Sequence, residues 1–363
     1  RLTNMELRLI QEEYAGVVGL IGELEGILSS DRKLTNLIKR ELGEVKKALA
    51  VPRRTQLIRA EADIRVDAED LAVVEDVSVA ILDGLRLRRC PSRQFNPAQI
   101  AEEKPLVILE TRTDRRIRLF TNLGAALSIP VAELPETRPT AKPANLAALL
   151  PFEKNERIVA AFDDSDEGDY LFYTRLGNVK RTAKSDYRLR VKRTQAIVLK
   201  PGDALVNMES DRGESILLIS AKGMSIRFQG GTVPSMGRVS GGVKCMKLDA
   251  DDALLFAAQV GEEGEILCVS DKGFGKRSPL FDYELQGRNG KGMKSFDFKK
   301  NGSNGTRLAA ALCVTAPHEF TLVQRHGART RLSTESVRIE PRFGRGAMLV
   351  AVVLDDDVTG IET

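Results

Sequence analysis

The densest chemistry in the chain is cationic. Lys180, Arg181, Lys184, Arg188, Arg190, Lys192 and Arg193 place seven positive charges in 14 residues, with Asp186 the only acid among them. Glycine alternates with basic residues in three later stretches. These are Gly237-Arg238-Val239-Ser240-Gly241-Gly242-Val243-Lys244, Gln286-Gly287-Arg288-Asn289-Gly290-Lys291-Gly292 and Arg342-Phe343-Gly344-Arg345-Gly346. Glycine lets backbone N–H groups approach an anionic oxygen, and a neighbouring Arg or Lys supplies charge. Such a set suits the phosphates of a nucleic-acid backbone and carries no base information.

Other chemistries are poorly supplied. His318 and His326 are the only histidines, and Cys90, Cys245, Cys268 and Cys313 lie far apart with no C-x-x-C pair. That excludes a disulfide scaffold and a cysteine-rich zinc site, and it suits a reducing compartment such as the cytoplasm. Aromatic residues make up 5% and tryptophan is absent, which argues against stacking platforms for single strands. A propeller hydrolase would need acids or histidines clustered on a central channel. The acids instead fall at turns such as Asp249, Asp251 and Asp252, where solvation explains them. Apolar runs are short and interrupted, so no membrane partner is expected.

The elements that must carry the cations repeat. An apolar strand enters a turn with one glycine and a basic strand leaves it, six times, at Gly84, Gly124, Gly177, Gly223, Gly273 and Gly327. The intervals are 40, 53, 46, 50 and 54 residues. The apolar runs are too short for helices and read as strands buried on both faces. A polar loop and a second hydrophobic pair with an acidic turn complete about four strands per unit. Six such units predict a mainly β fold, a closed six-bladed β-pinwheel that buries the sheet faces by radial stacking. The basic positions after each glycine, including Lys276 and Arg277, would then share one rim.

Residues 1–55 read as a helical coiled-coil segment, 56–74 as an acidic linker with a short strand near 64–66, and 75–363 as the pinwheel. Ile10, Tyr14, Val17, Ile21, Leu24 and Leu28 follow steps of four and three, a seam for a partner helix. Ser29-Ser30-Asp31 marks a break, and Leu34, Leu37, Ile38, Leu42, Val45 and Leu49 continue the pattern until Pro52.

With these residues in place the sequence resembles the A subunits of bacterial type IIA topoisomerases, DNA gyrase or topoisomerase IV. RLTNMELRLIQEEY and PRRTQL are similar to the family's returning coiled-coil arm and strap. KGFGKRSPLFDYELQGRNGKG at 272–292 and SMGRVSGGVKCMKL at 235–248 are similar to its blades, and QGRNGKG to a variant of its glycine-rich box. The resemblance implies a pinwheel that binds and bends duplex DNA around its rim. It implies DNA contacts from Lys180, Arg181, Lys184, Arg188, Arg190, Lys192, Arg193, Arg238, Lys244, Lys276, Arg277, Gln286, Arg288, Lys291, Arg342 and Arg345. It also implies no catalytic residue, metal or cofactor in this chain, with the cleavage tyrosine upstream. Mg²⁺ would then belong to the cleavage core and ATP to the B subunits of an A2B2 holoenzyme, with A subunits pairing through the core and arm.

The first repeat departs from the pattern. QFNPAQIAEEK at 94–104 has no glycine and one lysine beside two glutamates. Within the family such a loss goes with bending rather than full wrapping, which tilts the reading toward topoisomerase IV. Net charge is only +4, so the DNA reading depends on where the charges sit. The competing class is a protein-interaction propeller, whose partner binding would be insensitive to salt.

Overall fold

A computed structural model describes residues 2–49, 73–138, 141–164, 167–188, 190–353 and 355–362. The chain divides into two compact units, Arg1–Arg65 and Val66–Thr363. The linker expected at 56–74 falls almost wholly outside the described residues, as do its short strand and Pro52.

The first unit holds two helices, α1 (Leu2–Leu28) and α2 (Asp31–Leu49). They part where the sequence breaks: the Ser29 hydroxyl donates to the Gly26 carbonyl at 3.2 Å, and α2 restarts with Leu34 N–H on Ser30 O. Asp31 in its first turn and Lys46 and Lys47 in its last both favour the helix dipole. The apolar seam of α1, from Ile10 to Leu28, is exposed along its length.

Among the described residues of the second unit, antiparallel strands form six sheets. Blade 1 contains β1 (Asp76–Leu82), β2 (Arg86–Pro91), β3 (Pro105–Arg112) and β6 (Ala144–Asn145). Blade 2 contains β4 (Arg116–Thr121), β5 (Ala125–Pro130), β7 (Ile158–Asp163) and β10 (Arg193–Gln195). Blade 3 contains β8 (Asp169–Thr174), β9 (Asn178–Ala183), β11 (Leu205–Ser210) and β14 (Val243–Lys244). Blade 4 contains β12 (Ser215–Ser220), β13 (Met224–Gln229), β15 (Leu254–Val260) and β18 (Met293–Lys294). Blade 5 contains β16 (Glu265–Ser270), β17 (Phe274–Pro279), β19 (Leu308–Val314) and β22 (Ala347–Met348). Blade 6 contains β20 (Glu319–Gln324), β21 (Arg329–Ser333) and β23 (Val358–Glu362), three strands where the repeat pattern predicts four.

β3, β7, β11, β15, β19 and β23 touch one another in succession and form the inner wall. The next strand outward is the apolar one of each repeat, and it is buried on both faces. In β12, Ile216 and Leu218 pack toward blade 3 while Leu217 and Ile219 pack toward blade 5. This two-sided burial is why the run lacks polar alternation. Five apolar clusters join blades 1 to 6 in order. An ion pair links blade 6 to blade 1, Lys104 with Glu362, and Glu362 also pairs with Arg329.

The turn glycines are needed. Gly124 sits at φ +78°, and a Cβ there would stand 2.8 Å from the Ile197 carbonyl.

The outer strand of blades 1 to 5 comes from the following repeat. After the β4–β5 hairpin of blade 2 the chain crosses back, and β6 pairs with β2 of blade 1. In the same way β10 pairs with β5, β14 with β9, β18 with β13 and β22 with β17. These strands are two or three residues long and extend the sheet to its circumference.

Candidate nucleic-acid interface

In blades 1 to 5 the strand after the turn glycine is the third of its sheet, inside the edge, and in blades 1, 3, 4 and 5 it is basic, so several residues expected to meet DNA point inward. Lys180, in β9, has no exposed surface. Its ammonium donates to Arg238 O at 2.5 Å, Ala196 O at 2.7 Å and the Tyr187 hydroxyl at 3.3 Å, and stands over the Phe172 and Tyr187 rings. Burial pushes its pKa down to about 8, against the pull of Asp186. Lys276 occupies the equivalent place in β17. It is fully buried and donates to Ser278 Oγ at 2.5 Å, Arg342 O at 2.8 Å and Pro341 O at 3.0 Å, with burial lowering its pKa. Lys184 is also buried, its ammonium 5.2 Å from the Tyr170 ring centre. None of these three lysines is placed to meet a phosphate.

The next residue along the strand is an arginine in four blades, and each grips the short turn of the following repeat. Arg89 donates to Leu134 O at 2.7 Å, Arg181 to Gly230 O at 3.2 Å, Arg227 to Leu280 O at 3.3 Å and Arg277 to Val337 O at 3.0 Å. Arg181 also pairs with Asp211 at 2.6 Å, and Arg277 pairs with Glu265. Arg181 and Arg277 were expected on DNA, yet the structure commits them to holding blades together. The role of Arg89 and Arg227 escaped the sequence reading, although their shared position two residues into the RR, KR and IR pairs of the repeats was visible.

Three further expected contacts are tied down. Arg193 meets Glu153 at 2.8 Å and Glu156 at 2.9 Å. Burial alone would raise the Glu156 carboxyl, but bonds from Arg193, Thr121 and the Glu153 N–H outweigh it and lower its pKa. Arg342 donates to Asp282 O at 3.1 Å and to Lys294 O. Arg238 reaches Thr194 Oγ1 at 2.6 Å and Gln195 O at 3.0 Å.

What remains at the surface is concentrated on the crossing segments. Arg188, Arg190, Lys192, Lys244, Arg288, Lys291 and Arg345 are exposed, with Lys244 donating to Leu176 O at 2.6 Å and Arg345 pairing with Asp297 at 2.8 Å, and Gln286 is half-buried. Lys247, Lys294, Lys299, Lys300 and Arg338 add exposed cations that the sequence reading did not single out. Three crossing loops share one construction. Each starts at a bridge to the preceding blade: Ser235 on Arg181, Leu285 on Arg227 and Ile339 on Arg277. Each ends at a glycine of positive φ, Gly242, Gly292 or Gly346, followed by the outer strand. At Gly292 a Cβ would fall on the Ser225 carbonyl of the neighbouring strand, so only glycine allows the close approach. The loop 286–292 also lies on the chain leaving β14, with Asn289 N–H donating to Cys245 O at 2.6 Å and Lys247 N–H to Gly290 O at 2.9 Å.

Blade 1 is built differently. The 94–104 segment forms helix α3 (Pro97–Glu102), which buries Ile100 against Ala80 and Leu82. Glu103 pairs with Arg88 at 2.6 Å. The segment covers a sheet face and forms no glycine–cation loop. At the turn end of the ring the acids are partnered as well as solvated: Asp252 is buried and accepts from Lys222 N–H at 3.0 Å, while exposed Asp251 pairs with the Lys222 side chain.

Four segments, residues 119–162, 169–210, 214–260 and 264–304, match the sequence family described as DNA gyrase C-terminal domain, beta-propeller. They coincide with the repeats of blades 2 to 5. The A subunit of DNA gyrase from Lawsonia intracellularis is 31% identical over 390 residues, covering 100% of this chain and 46% of that protein. The gyrase A subunit of Haloquadratum walsbyi is 29% identical over 385 residues, covering 100% of this chain and 44% of that protein. The repeats of blades 2 to 5 belong to the DNA gyrase C-terminal domain, beta-propeller family. The chain spans less than half the length of these relatives. Among solved structures, the C-terminal domain of a DNA topoisomerase IV superposes with a TM-score of 0.73 at 23% identity, over 80% of this chain and 93% of that one. The DNA gyrase A C-terminal domain follows with 0.56 at 21%, over 79% and 99%. The chain shares the fold of these C-terminal domains over about four fifths of its length.

Proposed function

We propose that the ring binds duplex DNA along its circumference, without sequence preference through its cations, and bends it as the DNA-presenting domain of a type IIA topoisomerase. The observation that carries this reading is the placement of exposed Lys and Arg on crossing loops and outer strands at successive blades. Bending 20–30 base pairs costs on the order of 1–6 kcal/mol, which several phosphate contacts must offset. Cleavage, ATP hydrolysis and the bound Mg²⁺ belong in this proposal to the rest of an A2B2 holoenzyme. Tyr170, Tyr173, Tyr187 and Tyr283 are buried in the blades and Tyr14 is exposed on α1. No helix among the described residues is long and apolar enough to cross a membrane.

The α3 cap on blade 1 supports bending over full wrapping, and so the topoisomerase IV reading over gyrase. Binding of a labelled duplex across a salt series tests the first part. With about six phosphates neutralised, log K against log salt should slope near −5. R288A/K291A should weaken all duplexes alike and flatten the slope by about one per lost contact. A flat salt dependence would point instead to a protein-interaction propeller. For the second part, the full-length protein with its B partner should relax and decatenate DNA; ATP-dependent negative supercoiling would make it a gyrase.

A further inference from the structure

The three crossing loops align on their terminal glycines. Three residues before Gly242, Gly292 and Gly346 stand Val239, Asn289 and Phe343, and each follows an arginine. Val239 and Phe343 are both 63% exposed. Their backbones are held firmly. The buried Lys180 ammonium takes the carbonyl of Arg238, next to Val239, and the buried Lys276 ammonium takes the carbonyls of Pro341 and Arg342, next to Phe343. Beyond Phe343, Gly344 N–H donates to Pro341 O at 2.8 Å, and Gly344 O accepts from Asp297 N–H at 3.0 Å. A single exposed apolar residue is ordinary. Here the same loop position is apolar at two blade junctions, is pinned by a buried cation each time, and lies among surface cations such as Arg345 and Lys244.

An apolar side chain set rigidly in a phosphate-binding edge can open a base step by entering it as a wedge, which kinks the duplex. We propose that Phe343 and Val239 enter steps of the bound duplex from the minor groove, so that curvature is concentrated at two kinks. This rests on the DNA-binding reading above. Asn289, at the junction between them, is polar and left-handed at φ +68°, and it leaves the intervening duplex unkinked. Pyrimidine–purine steps unstack easily and A-tracts resist. The wedges therefore add a preference for step flexibility to a surface whose cations read no sequence.

The test uses the whole 363-residue chain with two short duplexes. One carries 2-aminopurine at a central TA step and one an A-tract, and both have a fluorophore pair at their ends. The wild-type chain should raise 2-aminopurine emission, shorten the end-to-end distance and prefer the TA duplex by about tenfold. F343S should return emission toward that of unbound DNA and reduce the preference to less than about twofold, with V239S acting in the same direction more weakly. F343L should restore both signals. R288A/K291A should lower affinity and keep the preference. If F343S retains the emission change and the preference, the wedge is overturned while DNA binding stands. If the wild-type chain binds neither duplex at low salt, both readings fall.

Discussion

Lys180 gives the sharpest test of the inward-pointing cations. Its pKa near 8, against an ordinary lysine near 10.4, means that the folded chain carries the charge at a cost of about 3 kcal/mol below pH 8. K180M removes that cost and also removes the bonds to Ala196 O and Arg238 O. Each buried carbonyl left without its donor costs about 1–3 kcal/mol. At pH 7 the two effects nearly offset, and the variant should lie within a few kcal/mol of the wild type. Between pH 8 and about 10.4 the unfolded chain holds a proton that the folded amine has shed, so wild-type stability from this group rises with pH. K180M has no such rise. The stability gap should therefore widen in favour of the wild type by up to ~3 kcal/mol across that window. Urea unfolding of both proteins, followed by circular dichroism at pH 7 to 10, measures it. A gap that stays constant or narrows would refute the assignment of a charged, desolvated ammonium to this site.

Other expectations follow from single contacts. R227A removes bonds to the carbonyls of Leu280 and Gly261 and to Ser215 Oγ, and should lose about 2–4 kcal/mol in thermal unfolding. R227K should not recover it, because an ammonium cannot reproduce the fork. G292A forces a Cβ onto the Ser225 carbonyl at positive φ and should cost more than about 2 kcal/mol, with faster amide exchange at Met293 and Lys294. E362Q weakens partly exposed pairs with Lys104 and Arg329 and should cost less than about 1 kcal/mol, while exchange in β3 and β23 speeds up.

The repeat was legible because its signals are strong. Continuous apolar runs such as Ser215–Ser220, each ending in a turn glycine, marked the strands buried on both faces. The outer strands were not legible. Val243–Lys244 and Met293–Lys294 are too short to show any period, and their partners are hydrogen-bonded backbones far back in the chain. Charge misled for a related reason. A lysine count cannot distinguish an ammonium facing water from one facing carbonyls, and Lys180 and Arg181 are adjacent in sequence yet both turned inward. One clue lay in the pairing itself: the basic strand is bonded to a fully buried one, so part of its charge must lie inside. The exposed half of the candidate interface, Arg288, Lys291 and Arg345, was found because glycines at crossing points advertise close backbone approach.

The borrowed outer strands impose an order on how the chain can be made. β2 ends at Pro91, but the strand that finishes its sheet begins at Ala144, after an entire further hairpin. During synthesis each new blade stands with a bare edge until the next repeat leaves the ribosome and clasps it. Folding should thus advance as a travelling front, always one repeat behind translation, and a pause anywhere leaves an unpaired edge able to recruit other chains. The same interlock resists evolution by excision. Removing one internal repeat takes away the strand that completes its predecessor, and among the described residues blade 6 alone stands without a donated strand.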